Sequence, residues 1–167
     1  MTARRQENKG RPIFVSAALL AAVLLHGAWA AAYAAGSERV VSNRLTGLAV
    51  EGVDPIAYFA DGAPIAGRAE IEATALGVIW RFRSEQNRAV FLAHPDIYAP
   101  QFGGYDPVDA ARGVIGAGQP RIWLVAGQRL FLFSREDNRD AFVANVNDVL
   151  AEARRRWPAL KATLADY

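Results

Sequence analysis

Two aspartates carry the most chemistry this chain can offer. Asp54 and Asp106 each precede a proline, in Asp54-Pro55-Ile56 and Asp106-Pro107-Val108, 52 residues apart. Brought together, they would make a carboxylate pair suited to acid/base work or to a hard cation. Apart, each is an Asx-type turn whose side chain bonds its own backbone before proline. Tyr58, Phe59, Trp80, Tyr105 and Trp123 could line a pocket with Arg81 or Arg121 gripping an anion, or could be core and sheet-covering residues. From Gly36 on, His94 is the one histidine. A single histidine without another His or Cys is a poor ligand set, and before proline it reads as a cap or surface residue. Neither Ser84 nor Ser134 belongs to a nucleophile-elbow motif, and His94 is the one base on offer. The chain has no cysteine, which excludes disulfides, thiolate metal sites and a thiol nucleophile. These residues nominate no catalytic group, no metal ligand and no cofactor. The ligand-binding candidates are Asp54, Tyr58, Trp80, Tyr105, Asp106 and Trp123.

The frame that must position them begins with a leader. Residues 1–12 are polar and basic, Ile13 to Leu25 is apolar save Ser16, and small residues follow in WAAAYAAG. That is the layout of a secretory signal peptide, with Ala28-Trp29-Ala30 and Ala32-Tyr33-Ala34 both fitting the cleavage pattern. Uncleaved, Ile13 to Ala35 is long enough to span a bilayer of roughly 30 Å. The expectation is a periplasmic or secreted domain, or one anchored in the inner membrane and facing out of the cytoplasm. Four of the 19 basic and one of the 17 acidic residues precede Gly36, leaving 15 and 16 after it. The near-neutral remainder gives no argument for nucleic acid, so the partner is an unknown protein or small molecule. The membrane enters only through an uncut N-terminal segment.

Residues 36–47 read as a polar linker. Leu48 to Val53 alternates like a short strand, and Asp61-Gly62 reads as a hairpin turn. Glu70-Ile71-Glu72 belongs to a half-buried strand, and Gly77 turns the chain into Val78 to Phe82. There Val78, Trp80 and Phe82 share one face. Ser84 caps a helix that Pro95 stops, with Val90, Phe91, Asn87 and His94 on one side. Arg121 to Val125 and Leu130 to Phe133 read as a second hairpin, followed by a helix to about Ala144. Val146 to Trp157 reads as a longer helix, ending in Arg154-Arg155-Arg156 and interrupted by Pro158.

The chain contains this unit twice. At an offset of 51, Trp80, Phe82, Glu85, Asn87, Arg88, Phe91 and Ala93 fall on Phe131, Phe133, Glu136, Asn138, Arg139, Phe142 and Ala144. One single-residue gap brings the Asp-Pro pairs into register. The expectation is a tandem duplication of a strand-turn-helix unit, copy one about 48–100 and copy two about 104–157, packed about a pseudo-two-fold axis. The predicted fold class is α+β, with small antiparallel sheets and short helices in one domain over 48–158, after a leader at 1–35 and before a tail at 159–167.

The stretches GLAVEGVDPIAYFADGAPIAG, GVIWRFRSEQNRAVFLAHPDIYAPQFGGYDP and RLFLFSREDNRDAF resemble the YHS domain family. The chain looks most like its exported bacterial members, which have a signal peptide and a tail ending near Trp-Pro, here Trp157-Pro158. The resemblance covers about Leu45 to Pro158 and implies an architecture more than a reaction. Related short domains occur beside metal-handling modules. There, cysteines next to the Asp-Pro turn and after the strand aromatic are thought to bind metal. This chain departs at both places, with Ile56-Ala57 and with Arg83-Ser84, and has Asp106 where exported relatives often carry cysteine after Gly-Gly-Tyr. The functional expectation is an exported YHS-like module with a binding or protein-interaction role and no defined catalysis. The alternative is a small-molecule or hard-cation-dependent enzyme using Asp54, Asp106 and an aromatic cleft.

Overall fold

The computed structural model describes residues 40–43 and 45–164, so the leader and its cleavage lie outside the described residues. The chain folds as a small α+β protein with two antiparallel two-stranded sheets. The first half runs from a helical turn, α1 (Ala57–Ala60), into the hairpin β1 (Arg68–Ala75) and β2 (Val78–Phe82). Helices α2 (Glu85–Ala93) and α3 (Pro95–Tyr98) follow. The second half sets out α4 (Pro107–Ala111), the hairpin β3 (Gln119–Ala126) and β4 (Arg129–Phe133), then α5 (Glu136–Ala144) and α6 (Val146–Thr163). Hairpin strands and following helices recur 51 residues apart. The irregularity in pairing recurs too, between Arg68 and Glu72 in β1 and between Gln119 and Trp123 in β3.

The local causes are legible in the side chains. Ser84 accepts from the Asn87 backbone N–H and starts α2, while Glu85 sits where the helix dipole favours an acid. His94 and Asn145 end α2 and α5 with nearly the same backbone angles. Each hairpin packs its inward aromatics on one helix phenylalanine. Trp80 and Phe82 lie 4.7 and 5.4 Å from Phe91, and Phe131 and Phe133 lie 4.9 and 5.3 Å from Phe142. Both phenylalanines are fully buried, so truncating either to alanine would cost about 3–5 kcal/mol.

β4 joins the halves. Its successive side chains alternate between the two cores: Leu130 and Leu132 enter the cluster of Trp80, Phe82 and Phe91, while Phe131 and Phe133 pack with Phe142 and Val108. β2, in contrast, buries only Val78, Trp80 and Phe82, the face its alternation predicts.

Several expectations are corrected. Ile56 to Phe59 leads into and forms α1, so Asp61 caps a helix and no hairpin turn forms at Asp61-Gly62. Leu48 to Val53 makes only isolated bridges around a helical turn at Val50–Gly52. The proposed linker is structured where described: Val40 is buried in the first cluster and the Val41 N–H bonds the Gly103 carbonyl. Pro158 does not interrupt the last helix, which continues to Thr163. Proline lacks an N–H and crowds the preceding turn, yet α6 carries Pro158 in its interior. Arg154-Arg155-Arg156 therefore lies within the helix. Arg155 and Arg156 bond Glu152 one turn back, and those two hydrogen bonds push its carboxyl down to about 2. No helix among the described residues is long and apolar enough to cross a membrane.

Candidate functional site

Asp54 and Asp106 are both fully buried, each in a knot built by its own half. Asp54 Oδ1 accepts from the Ile56 N–H at 2.9 Å, the Asx-type turn that proline favours. Its Oδ2 accepts from the Arg83 N–H at 2.8 Å and from Asn87 Nδ2 at 2.7 Å. One carboxylate thus fastens the Asp-Pro turn to the end of β2 and the first turn of α2. Asp106 repeats this as the cap of α4. It accepts from the Val108 N–H, the Ser134 N–H and Asn138 Nδ2 at 2.8, 2.8 and 2.7 Å.

The second knot is larger. Asp109 is buried beside it, and the Ser134 hydroxyl lies 2.8 Å from Asp106 and 2.9 Å from Asp109. Asn138 Nδ2 also donates to Asp109, and Arg135 and Arg112 pair with Asp109 at 3.2 and 3.5 Å. Charges buried this far are tolerated because donors satisfy them. Among the described residues no buried side-chain polar atom is left without a partner, and no group of three or more acids and histidines is arranged to hold a metal. Sequence reasoning placed Asn87 on the packed side of its helix and matched it to Asn138, but missed that both are ligands of the aspartates. Asp109 was missed altogether. The available signal was a polar residue repeated on a core-facing helix stripe, which demands a buried partner.

The four aromatic candidates do not line one cleft. Trp80 sits inside the first core and donates from Nε1 to the Ala75 carbonyl at 2.8 Å. Tyr105 is half-buried, its ring 5.7 Å from Trp157. Tyr58 and Trp123 do meet, ring edge to face at 5.2 Å, across the two halves. Tyr58 also donates to the Pro120 carbonyl at 2.9 Å. Burial first, and then the Glu51 carboxylate, push its hydroxyl above the ordinary tyrosine range. Of the anion-gripping candidates, Arg81 is engaged with Glu72 at 2.8 Å and Arg121 is exposed. His94 is exposed and ends α2.

Next to the Tyr58–Pro120 contact lies a cavity of about 160 Å³, lined by Val41, Ser42, Val50, Glu51, Gly104 and Leu132. Val50 and Glu51 hold φ of 50° and 52°, left-handed values that cost non-glycine residues about 1–3 kcal/mol each. Comparison with known families, curated proteins and solved structures finds no match to this chain.

Proposed function

We propose that the chain is an exported YHS-like module, arisen by tandem duplication, that works by binding a protein or small molecule at the seam between its halves. The observation that carries this reading is the enclosure of Asp54 and Asp106. The residues best suited to acid/base or cation chemistry are fully buried and held by donors from their own halves. What both halves present jointly is the seam, where Tyr58 meets Trp123 and the cavity opens. The duplication is supported by the recurrence of knot, hairpin and helix at matching offsets. The YHS-like assignment rests on the sequence resemblance alone. Export rests on the leader alone, and N-terminal sequencing of the protein recovered outside the cytoplasm tests it.

The binding role is tested by site-specific photo-crosslinking in the full chain. A crosslinking residue at Asn43, on the wall of the cavity, is expected to give discrete adducts in the cell envelope. The same residue at Asp137, exposed at the start of α5, is not. Equal labelling from both positions, or none from Asn43, removes the reading.

A further inference from the structure

The outer strands of the two hairpins, β1 and β3, hold equivalent places, but their free edges differ in chemistry. In the first half the Ile79 backbone turns away from β1 and bonds Gly47 and Ala49. Pairs in an antiparallel ladder alternate between bonded and non-bonded. Thr74, opposite Ile79, and Glu72, opposite Arg81, therefore also turn their backbone groups outward. The same register recurs in the second half, with Val125 opposite Leu130 and Trp123 opposite Leu132. Trp123 and Val125 thus each point an N–H and a C=O off the sheet edge. Among the described residues no backbone group outside the β3–β4 ladder bonds them.

An open strand edge is a template for another strand, and charged side chains along it keep strands away. β1 has that protection. Arg68 and Glu70 are exposed and paired with each other, and half-exposed Glu72 pairs with Arg81. β3 lacks it. Where β1 has Glu72, Ala73 and Thr74, β3 has Trp123, Leu124 and Val125, and no charge falls between Ile122 and Ala126. All five of those residues are partly exposed.

The strand that fits this edge is β3 itself, from a second copy of the chain. Antiparallel pairing about Leu124 sets Trp123 opposite the second copy's Val125, and Val125 opposite its Trp123. Those are the residues whose N–H and C=O point outward, so each pair exchanges both of its hydrogen bonds. Leu124 meets its own equivalent in the non-bonded position, and Ile122 meets Ala126, so apolar side chains face apolar side chains. Arg121 falls opposite Gly127. The arginines of the two copies stay about 20 Å apart, well beyond a Debye length of about 8 Å. The irregular pairing between Gln119 and Trp123, and the Tyr58 hydroxyl on the Pro120 carbonyl, confine the docking to the stretch that follows. We propose that β3 pairs edge to edge with β3 of a second copy, joining two two-stranded sheets into one continuous sheet. This pairing does not depend on the binding role of the seam.

The chain has no cysteine, so a single introduced thiol reports on the pairing. Leu124→Cys puts that thiol at a non-bonded pair with Cα atoms about 4.5 Å apart, within the span of a disulfide. Mild oxidation of the purified L124C chain is expected to give a covalent dimer on a non-reducing gel. Ala73→Cys, at the equivalent place on β1, is expected to stay monomeric there. Sedimentation equilibrium of the parent should show dimers that dissociate on dilution. Val125→Pro removes one outward N–H per copy and leaves the β4 ladder its bonds. It should weaken dimerisation at least about tenfold, as expected for two lost hydrogen bonds. Thr74→Pro puts the same strain into the first hairpin and should leave dimerisation unchanged, with thermal melting to show that both proline variants fold. If Val125→Pro does not fold, the paired cysteine variants still decide. A parent that stays monomeric, crosslinking of A73C equal to that of L124C, or a dimer that folded V125P leaves intact overturns the proposal.

Discussion

Asp54→Asn separates a structural aspartate from a catalytic one. The substitution keeps the shape and keeps an oxygen for the Ile56 N–H, but it turns Oδ2 into an amide nitrogen. That nitrogen then faces two donors, the Arg83 N–H and Asn87 Nδ2, which now bond the carboxylate at 2.8 and 2.7 Å. Each hydrogen bond to a charged group is worth about 1.5–3 kcal/mol, so the loss is about 3–6 kcal/mol. That is a large share of the 5–15 kcal/mol, roughly, that a domain has in total. Urea unfolding followed by tryptophan emission reads it directly, since Trp80 sits in the core that the knot closes. With a urea slope of about 2 kcal/mol/M, the midpoint should fall by about 1.5–3 M. A catalytic carboxylate behaves in the opposite way, because active-site groups are kept at some cost to stability. A midpoint within about 0.3 M of the parent would refute the knot as the role of Asp54.

The remaining predictions test the same architecture at other points. Asn138→Ala should destabilise more than Asn87→Ala, because Asn138 bonds Asp106, Asp109 and Arg112 while Asn87 bonds Asp54 alone by its side chain. Paired urea curves check the order. Gly118→Ala should cost about 1–3 kcal/mol or more, since the new Cβ would lie 2.6 Å from the Gly104 carbonyl oxygen and 2.5 Å from Leu132 Cβ; the shift in thermal midpoint measures it. Tyr58→Phe should lose about 1 kcal/mol at neutral pH by leaving the Pro120 carbonyl unpaired. The folded chain raises this hydroxyl above its ordinary value of 10.0, so its contribution is complete below that pH and is lost as pH rises beyond it through the higher folded value. Stability profiles above pH 10 should therefore fall more steeply for the parent than for Tyr58→Phe.

The parts of the fold governed by short-range periodicity were legible in the sequence. Val78, Trp80 and Phe82 alternate inward as predicted, Ser84 caps its helix, and Leu130 to Phe133 falls within β4. What escaped was decided by tertiary contact. Ile56 to Phe59 has apolar and aromatic residues that suit a strand, but the Asx turn at Asp54 directs the chain into a helical turn. Pro158 reads as a helix stop, yet packing on α4 and the aromatic contacts of Trp157 with Phe102 and Tyr105 hold the helix through it. The repeat was visible, but its central device was not. A buried amide on a carboxylate leaves only a polar letter on a core-facing stripe.

The double burial of β4 has a consequence for the order in which the chain acquires structure during synthesis. The first half has all its own hairpin and helix by Ala93, but its core still lacks Leu130 and Leu132. At about 5–20 residues per second, the ribosome needs roughly 2–8 s to supply that interval. Throughout it, the side of the first core that β4 later seals stays uncovered. The nascent chain therefore has a built-in delay, and a factor that shields an apolar surface in transit would find it during those seconds. Once β4 docks, both cores close on one strand, which gives to each half two of the side chains that fill its core.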